Sequence, residues 1–232
     1  MSKNEVATGN LAFLGEQGNQ LPAHLADVAA ADKGLGNENV GADDQQLPRL
    51  NLLQALSPQL EELEDAKAGL FHNSVTNELY QDAYLINLFY KKEFTIWRKR
   101  NKGGGYCGAF DTAEAAQTHI ETLPGNSDDY DIQETAKHAC LLLDPETGDI
   151  VQPIMIYLKG SALNVSRNWN SQINSFNEDQ PRFASIWQVS SVKQSNDQGS
   201  WFNWKVGKGA WVPSTEMYES AKAFYNTISA NM

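Results

Sequence analysis

The chain has 232 residues, enough for one large domain or for one domain plus a loosely packed extension, and its 41 % of apolar residues is ordinary for a globular protein. No run approaches the roughly 18 consecutive apolar residues that a membrane helix needs, and the N-terminus lacks the apolar core of a secretory signal. The formal net charge of −11 argues against a polyanion partner until its distribution is read: residues 1–80 contribute −8 of it, whereas residues 91–102 hold six basic side chains against Glu93 alone.

Residues 1–46 are rich in Gly, Asn, Asp and Gln and read as a flexible acidic arm, with only a short helix expected between Leu21 and Lys33. Leu47-Pro48-Arg49-Leu50-Asn51-Leu52-Leu53 is the first convincing apolar run, and Pro48 makes it an edge strand or lead-in rather than a central strand. Ala83 to Arg100 predicts a long strand, with a bend or bulge where Lys91-Lys92-Glu93 interrupts its pattern. Gly103-Gly104-Gly105 permits a loop, and Asp111 with Glu114 predicts a capping box that opens a helix to about Leu123. Ala139–Leu143 and Ile150–Leu158 read as strands around the turn Pro145–Asp149, and Ser161 is placed to cap a helix through Phe176. Phe183–Gln194 and Ser200–Val206 predict a hairpin across Asn196–Gly199, and Ser214 is placed to cap a last helix to about Ser229. Together these predict an α+β, β-rich fold, with an OB-like small barrel and peripheral helices over residues 47–232.

Two clusters suit a single-stranded nucleic acid, which sequence-tolerant proteins hold by phosphate contacts and base stacking. The first is Trp97, Arg98, Lys99, Arg100, Lys102 and Tyr106, where cations, aromatics and a glycine loop occur together. The second lies between 159 and 211, where five of the six Trp residues interleave with basic ones; Lys159, Arg167, Trp169, Lys193, Trp201, Asn203, Lys205 and Lys208 are its candidates. If Ser195 pairs with Ser200, then Phe202, Trp204 and Val206 share a core face with Ser191, Val189 and Trp187. Trp201, Asn203 and Lys205 then fall on the opposite, polar face, and a one-residue slip exchanges the two. The competing readings are a solvated strand end for the first cluster and core filling for the second.

Signals of catalysis are poor. The four His are scattered, and no nucleophile elbow, phosphate loop or zinc-protease motif occurs. Asp128, Asp129 and Asp131 are the one acidic cluster that could hold Mg²⁺ in a nuclease, against the plainer reading of a polar loop. Cys107 and Cys140 stand alone, and a reducing cytoplasm is the simpler expectation.

Several segments in order resemble a group of phage-encoded single-stranded-DNA-binding proteins. They are Gly36–Val40, Leu47–Leu50, Leu53-Gln54, Ser57-Pro58, Ala68–Asn73, Gly160-Ser161, Ser166–Asn170, Asn196–Trp201 and the helix after Pro213. The resemblance implies an OB-type barrel, a role in phage DNA replication or recombination in the host cytoplasm, and no catalytic residue. Many such proteins end in an acidic tail that recruits replication partners, whereas this chain ends Thr227–Met232 without an acid. The expectation is therefore a non-enzymatic protein without cofactor or membrane contact. Its expected partners are single-stranded DNA, phage or host replication and transcription proteins, and further copies of itself. A protein-interaction factor engaging host polymerase and a Mg²⁺-dependent nuclease are the alternatives.

Overall fold

The computed structural model describes residues 23–40, 44, 47–197 and 199–230. It divides into two units, residues 1–45 and 46–232. In the first, helix α1 spans Ala23–Ala31 and is followed by turns whose side chains are exposed. Most of the acidic arm expected from the sequence lies outside the described residues.

The second unit is α+β, β-rich and built from antiparallel sheets. A small sheet joins β1 (Leu50–Leu52), β2 (Phe71–Asn73) and β3 (Leu79–Tyr80) in that order. The large sheet runs β7 (Ile150–Lys159), β6 (Tyr130–Leu143), β4 (Ala83–Arg98), β8 (Ser185–Asn196), β9 (Gly199–Trp211), with β5 (Tyr106–Phe110) also on β4. Four helices complete the unit: α2 (Gln59–Glu62), α3 (Ala113–Ile120), α4 (Ala162–Asn177) and α5 (Thr215–Ser229).

Helix α4 buries Ala162, Ser166, Trp169, Ile173 and Asn177, a stripe at helical spacing, against Leu85, Cys140, Ile156 and Trp187 on one face of the large sheet. Helix α5 packs Met217, Ala221, Phe224 and Ile228 on Ile86, Leu88 and Leu141 on the other face. Strand β6 is covered on both sides, so Ala139–Leu143 is buried without alternation. Its first half is polar and extends the strand nine residues beyond the expected Ala139 start, to Tyr130.

Three local expectations move. The bulge in β4 falls between Asn87 and Phe89, not at Lys91–Glu93, because those charges are met by Asp111, Glu134 and Lys137 and the strand passes through undisturbed. The cap of α3 is Thr112, whose hydroxyl accepts from the Ala115 N–H at 3.1 Å, rather than Asp111. Ser161 precedes α4 but makes no side-chain cap bond, whereas Ser214 caps α5 as expected.

The sheets do not close into a barrel by strand pairing. Met155 N–H donates to Pro48 O at 2.8 Å and ties the small sheet to the β7 edge. At the β9 edge the segment after β1 is joined through one side chain. Gln54 Nε2 donates to Phe202 O and Gln54 Oε1 accepts from Phe202 N–H, each at 2.9 Å, as a neighbouring strand would.

Candidate nucleic-acid interface

The register of the β8–β9 hairpin decides which tryptophans meet solvent. Ser195 pairs with Ser200, Lys193 with Phe202, Ser191 with Trp204 and Val189 with Val206. Trp204 therefore points into the core, 9 % exposed and 4.8 Å from the Phe71 ring. Trp201, Asn203 and Lys205 lie on the opposite face with Gln194, Val192 and Ser190; there Lys205, Gln194 and Val192 are exposed, Trp201 and Ser190 are half-buried and Asn203 is buried. Lys193, Lys205 and Lys208 are exposed and make no ion pair among the described residues.

Trp201 also lines a cleft of about 530 Å³ between β1, the end of β7, the start of α4 and β9. Its indole N–H is shielded from solvent and has no acceptor among the described residues, a desolvation cost of about 1–3 kcal/mol. Tyr157 and Lys159 form the facing wall. The Arg49 guanidinium lies 5.2 Å from the Tyr157 ring centroid and Lys137 Nζ lies 5.7 Å from it. Desolvation first, then the nearby Arg49 charge, holds the Lys159 ammonium below its ordinary range, with Lys137 acting in the same direction. Three cations thus lie together, and among the described residues Glu93, bound to Lys137, is the opposing carboxylate felt by Lys159. Such a concentration of positive charge favours an anion.

Two cations of the other basic cluster, Lys99 and Lys102, are engaged within the protein. Lys99 Nζ donates to Asp128 O at 2.7 Å and lies 3.7 Å from Asp131, and Lys102 lies 3.0 Å from Asp129. The Asp129 carboxylate also accepts from Asn126 N–H at 3.1 Å, and these two contacts hold it below the usual carboxylate range. The acidic triplet and the basic stretch, 30 residues apart in sequence, therefore neutralise each other across the ends of β4 and β6, where Trp97 pairs with Asp131. Among the described residues no three His, Cys, Asp or Glu side chains are grouped to hold a metal. Trp97 and Tyr106 remain outside, 40 % and 62 % exposed, as a cross-strand pair with ring centroids 5.8 Å apart. Arg100 is exposed, and Arg98 is half-buried with an unpaired Nε.

A family model described as Pam3 phage gp34-like protein matches residues 16–232. The chain belongs to that family. The match places it among phage proteins; no curated protein and no solved structure matches it.

In this gp34-like chain two of the candidate residues are structural. Trp169 is 1 % exposed and stacks on His138 with ring centroids 4.8 Å apart, so it has no face for a base. Asn203 is 5 % exposed, and its amide is spent on Gln194 Oε1 and the Trp204 N–H. Arg167 lies on the outer side of α4, held by Asn164 and Glu134. Arg49, Lys137 and Tyr157 were not singled out from the sequence. Each stands among ordinary strand residues, and only the pairing of β6 with β7 and of Arg49 with Met155 gathers them.

Proposed function

We propose that this gp34-like protein binds single-stranded DNA with little sequence preference, along the outer face of the β8–β9 hairpin and over the cleft beside it. The observation that carries this reading is the hairpin register. It puts the half-buried Trp201 and the exposed Lys205 on the face opposite Trp204, while Lys193, paired with Phe202, and Lys208 are exposed along the same two strands; among the described residues none of the three lysines makes an ion pair. A positively charged surface with stackable rings fits a flexible polyanion. Lys159 lines the cleft with Arg49 beside it over the Tyr157 ring, whereas two of the four cations of residues 98–102, Lys99 and Lys102, are paired with carboxylates. In this reading the two sheets are halves of an OB-type barrel whose seam Gln54 closes. The protein acts without catalysis in phage DNA replication or recombination in the host cytoplasm.

Gel shifts and fluorescence titrations with single-stranded DNA, duplex DNA and RNA test it. Single strands should bind most tightly, with log affinity falling against log salt by about 0.7 for each phosphate neutralised. Replacing Lys193, Lys205 and Lys208 together by Ala should flatten that slope by about 2. Equal affinity for duplex, or an unchanged slope in the triple variant, rejects the reading.

A further inference from the structure

Strand β4 has β6 along one side, but its other side is only partly occupied. There β8 pairs with Ala83–Ile86 and β5 with Phe94–Trp97, so among the described residues Asn87 to Glu93 has no strand opposite on this side. The turn Arg182–Ala184 and helix α5 fold against this gap and leave a cavity of about 600 Å³, within the roughly 300–1,000 Å³ of small-molecule sites. Tyr90, Phe183 and Tyr225 give it aromatic walls, Arg182 and Lys222 give it positive charge, and among the described residues no acidic side chain lines it.

Arg182 is held in place but not neutralised. Its Nη1 donates to Asn87 Oδ1 at 3.3 Å and its Nη2 donates to Asn170 Oδ1, both uncharged, while the guanidinium lies 5.9 Å from the Tyr90 ring centroid. Among the described residues it makes no ion pair. Glu178, which lines a smaller cavity with Arg182, stays beyond ion-pair distance. Burial acts against the charged form and shifts its acidity accordingly. A half-buried guanidinium fixed by two amides is an incomplete arrangement, because buried charge is ordinarily compensated. An arginine fork held this way is suited to a phosphate. Among the described residues Lys222 is joined only to Glu219, 3.6 Å away on the same exposed helix face, a pairing of little energetic weight.

We propose that this pocket binds one nucleotide unit, its phosphate on Arg182 and Lys222 and its base against the Tyr90 and Tyr225 rings. The site is built from β4, the Arg182 turn and α5, shares no residue with the hairpin track, and does not depend on it. A free nucleotide and the phosphorylated end of a strand present the same chemistry.

Calorimetric titration of the full chain with dTMP, thymidine and inorganic phosphate tests the proposal. The expected result is saturable dTMP binding, with thymidine weaker by about tenfold or more for want of the charge-assisted contacts. Lys222→Glu, on the exposed side of α5, should weaken dTMP by about tenfold with an unchanged melting temperature, and Arg182→Gln should weaken it further. Arg182 also joins buried groups, so Lys222→Glu decides the matter if Arg182→Gln does not fold. Oligonucleotides with 5′-phosphate and 5′-hydroxyl ends identify the source: a preference lost in Lys222→Glu assigns a strand end, and no preference assigns the free nucleotide. Absence of saturation at millimolar dTMP, or dTMP binding indifferent to Lys222→Glu, overturns the proposal. Neither result bears on the hairpin, whose binding is read from the salt slope of longer strands.

Discussion

At the centre of the large sheet, polar side chains form one directed chain of hydrogen bonds. Arg182 donates to Asn87 Oδ1, Asn87 Nδ2 donates to His138 Nδ1 at 3.0 Å, and His138 Nε2 donates to Ser166 Oγ at 2.8 Å. That order requires a neutral imidazole protonated on Nε2, since a second proton would oppose the Asn87 amide N–H. Burial first, and the Arg182 charge second, push His138 down to about 3. Between that value and the ordinary one near 6.5 the unfolded chain binds a proton that the folded chain refuses. Stability is therefore full above about pH 6.5 and declines as pH falls through this window, by up to about 1.4 kcal/mol per pH unit. Denaturant unfolding at pH 7 and pH 5 should show a loss of about 2 kcal/mol. In His138→Gln, stability at pH 7 should be lower but the pH dependence flatter. The two hairpin tryptophans part at the same scale. Trp204→Ala should cost about 3–5 kcal/mol of stability, as expected for a large core side chain. Trp201→Ala should cost less stability and weaken single-strand binding by about 1–3 kcal/mol, the loss of one stacked base. Thermal melts and fluorescence titrations of the two variants separate these outcomes, and a reversed pattern would mean that the two faces are exchanged.

Elements were legible in proportion to how locally they are determined. The hairpin register followed from one glycine-bearing turn and two apolar alternations, so the assignment of Trp204 and Trp201 to opposite faces is found in the fold. Helix α5 was visible from its Ser214 cap and apolar stripe. The first half of β6 was not, because its acids and amides resemble a loop until β4 and β7 pair on either side of it. The clustering of Arg49, Lys137 and Lys159, and the mutual neutralisation of residues 99–102 with 128–131, depend on pairings between distant segments that no local pattern encodes. The β9 edge shows the same dependence. Gln54 reads as one more polar residue after an apolar run, yet its amide occupies the N–H and C=O of Phe202, 148 residues away. Gln54→Ala should remove both bonds and cost about 1–3 kcal/mol. Amide hydrogen exchange should then accelerate at Phe202 while the β8–β9 ladder stays protected. Unchanged protection at Phe202 would show that this edge is held by something other than this side chain.

The whole chain sets an acidic N-terminal portion before a domain whose basic surface is local. Residues 1–46 carry seven acidic and two basic side chains, so deleting them moves the net charge from −11 to −6. Among the described residues the three apolar clusters all lie between Leu50 and Ile228. Deletion of the arm should accordingly leave the melting temperature of the remaining domain nearly unchanged. Its effect on binding is electrostatic. Negative charge tethered to the same molecule repels a polyanion over about the Debye length, near 10 Å at 0.1 M salt and 30 Å at 0.01 M. The truncated protein should therefore bind single strands more tightly than the full chain, with the larger difference at low salt and convergence of the two as salt is raised. Titrations of both forms across a salt series measure this directly. A difference that persists undiminished at high salt would point to a contact between arm and site rather than to long-range charge. Truncation that weakens binding would make residues 1–46 part of the DNA surface.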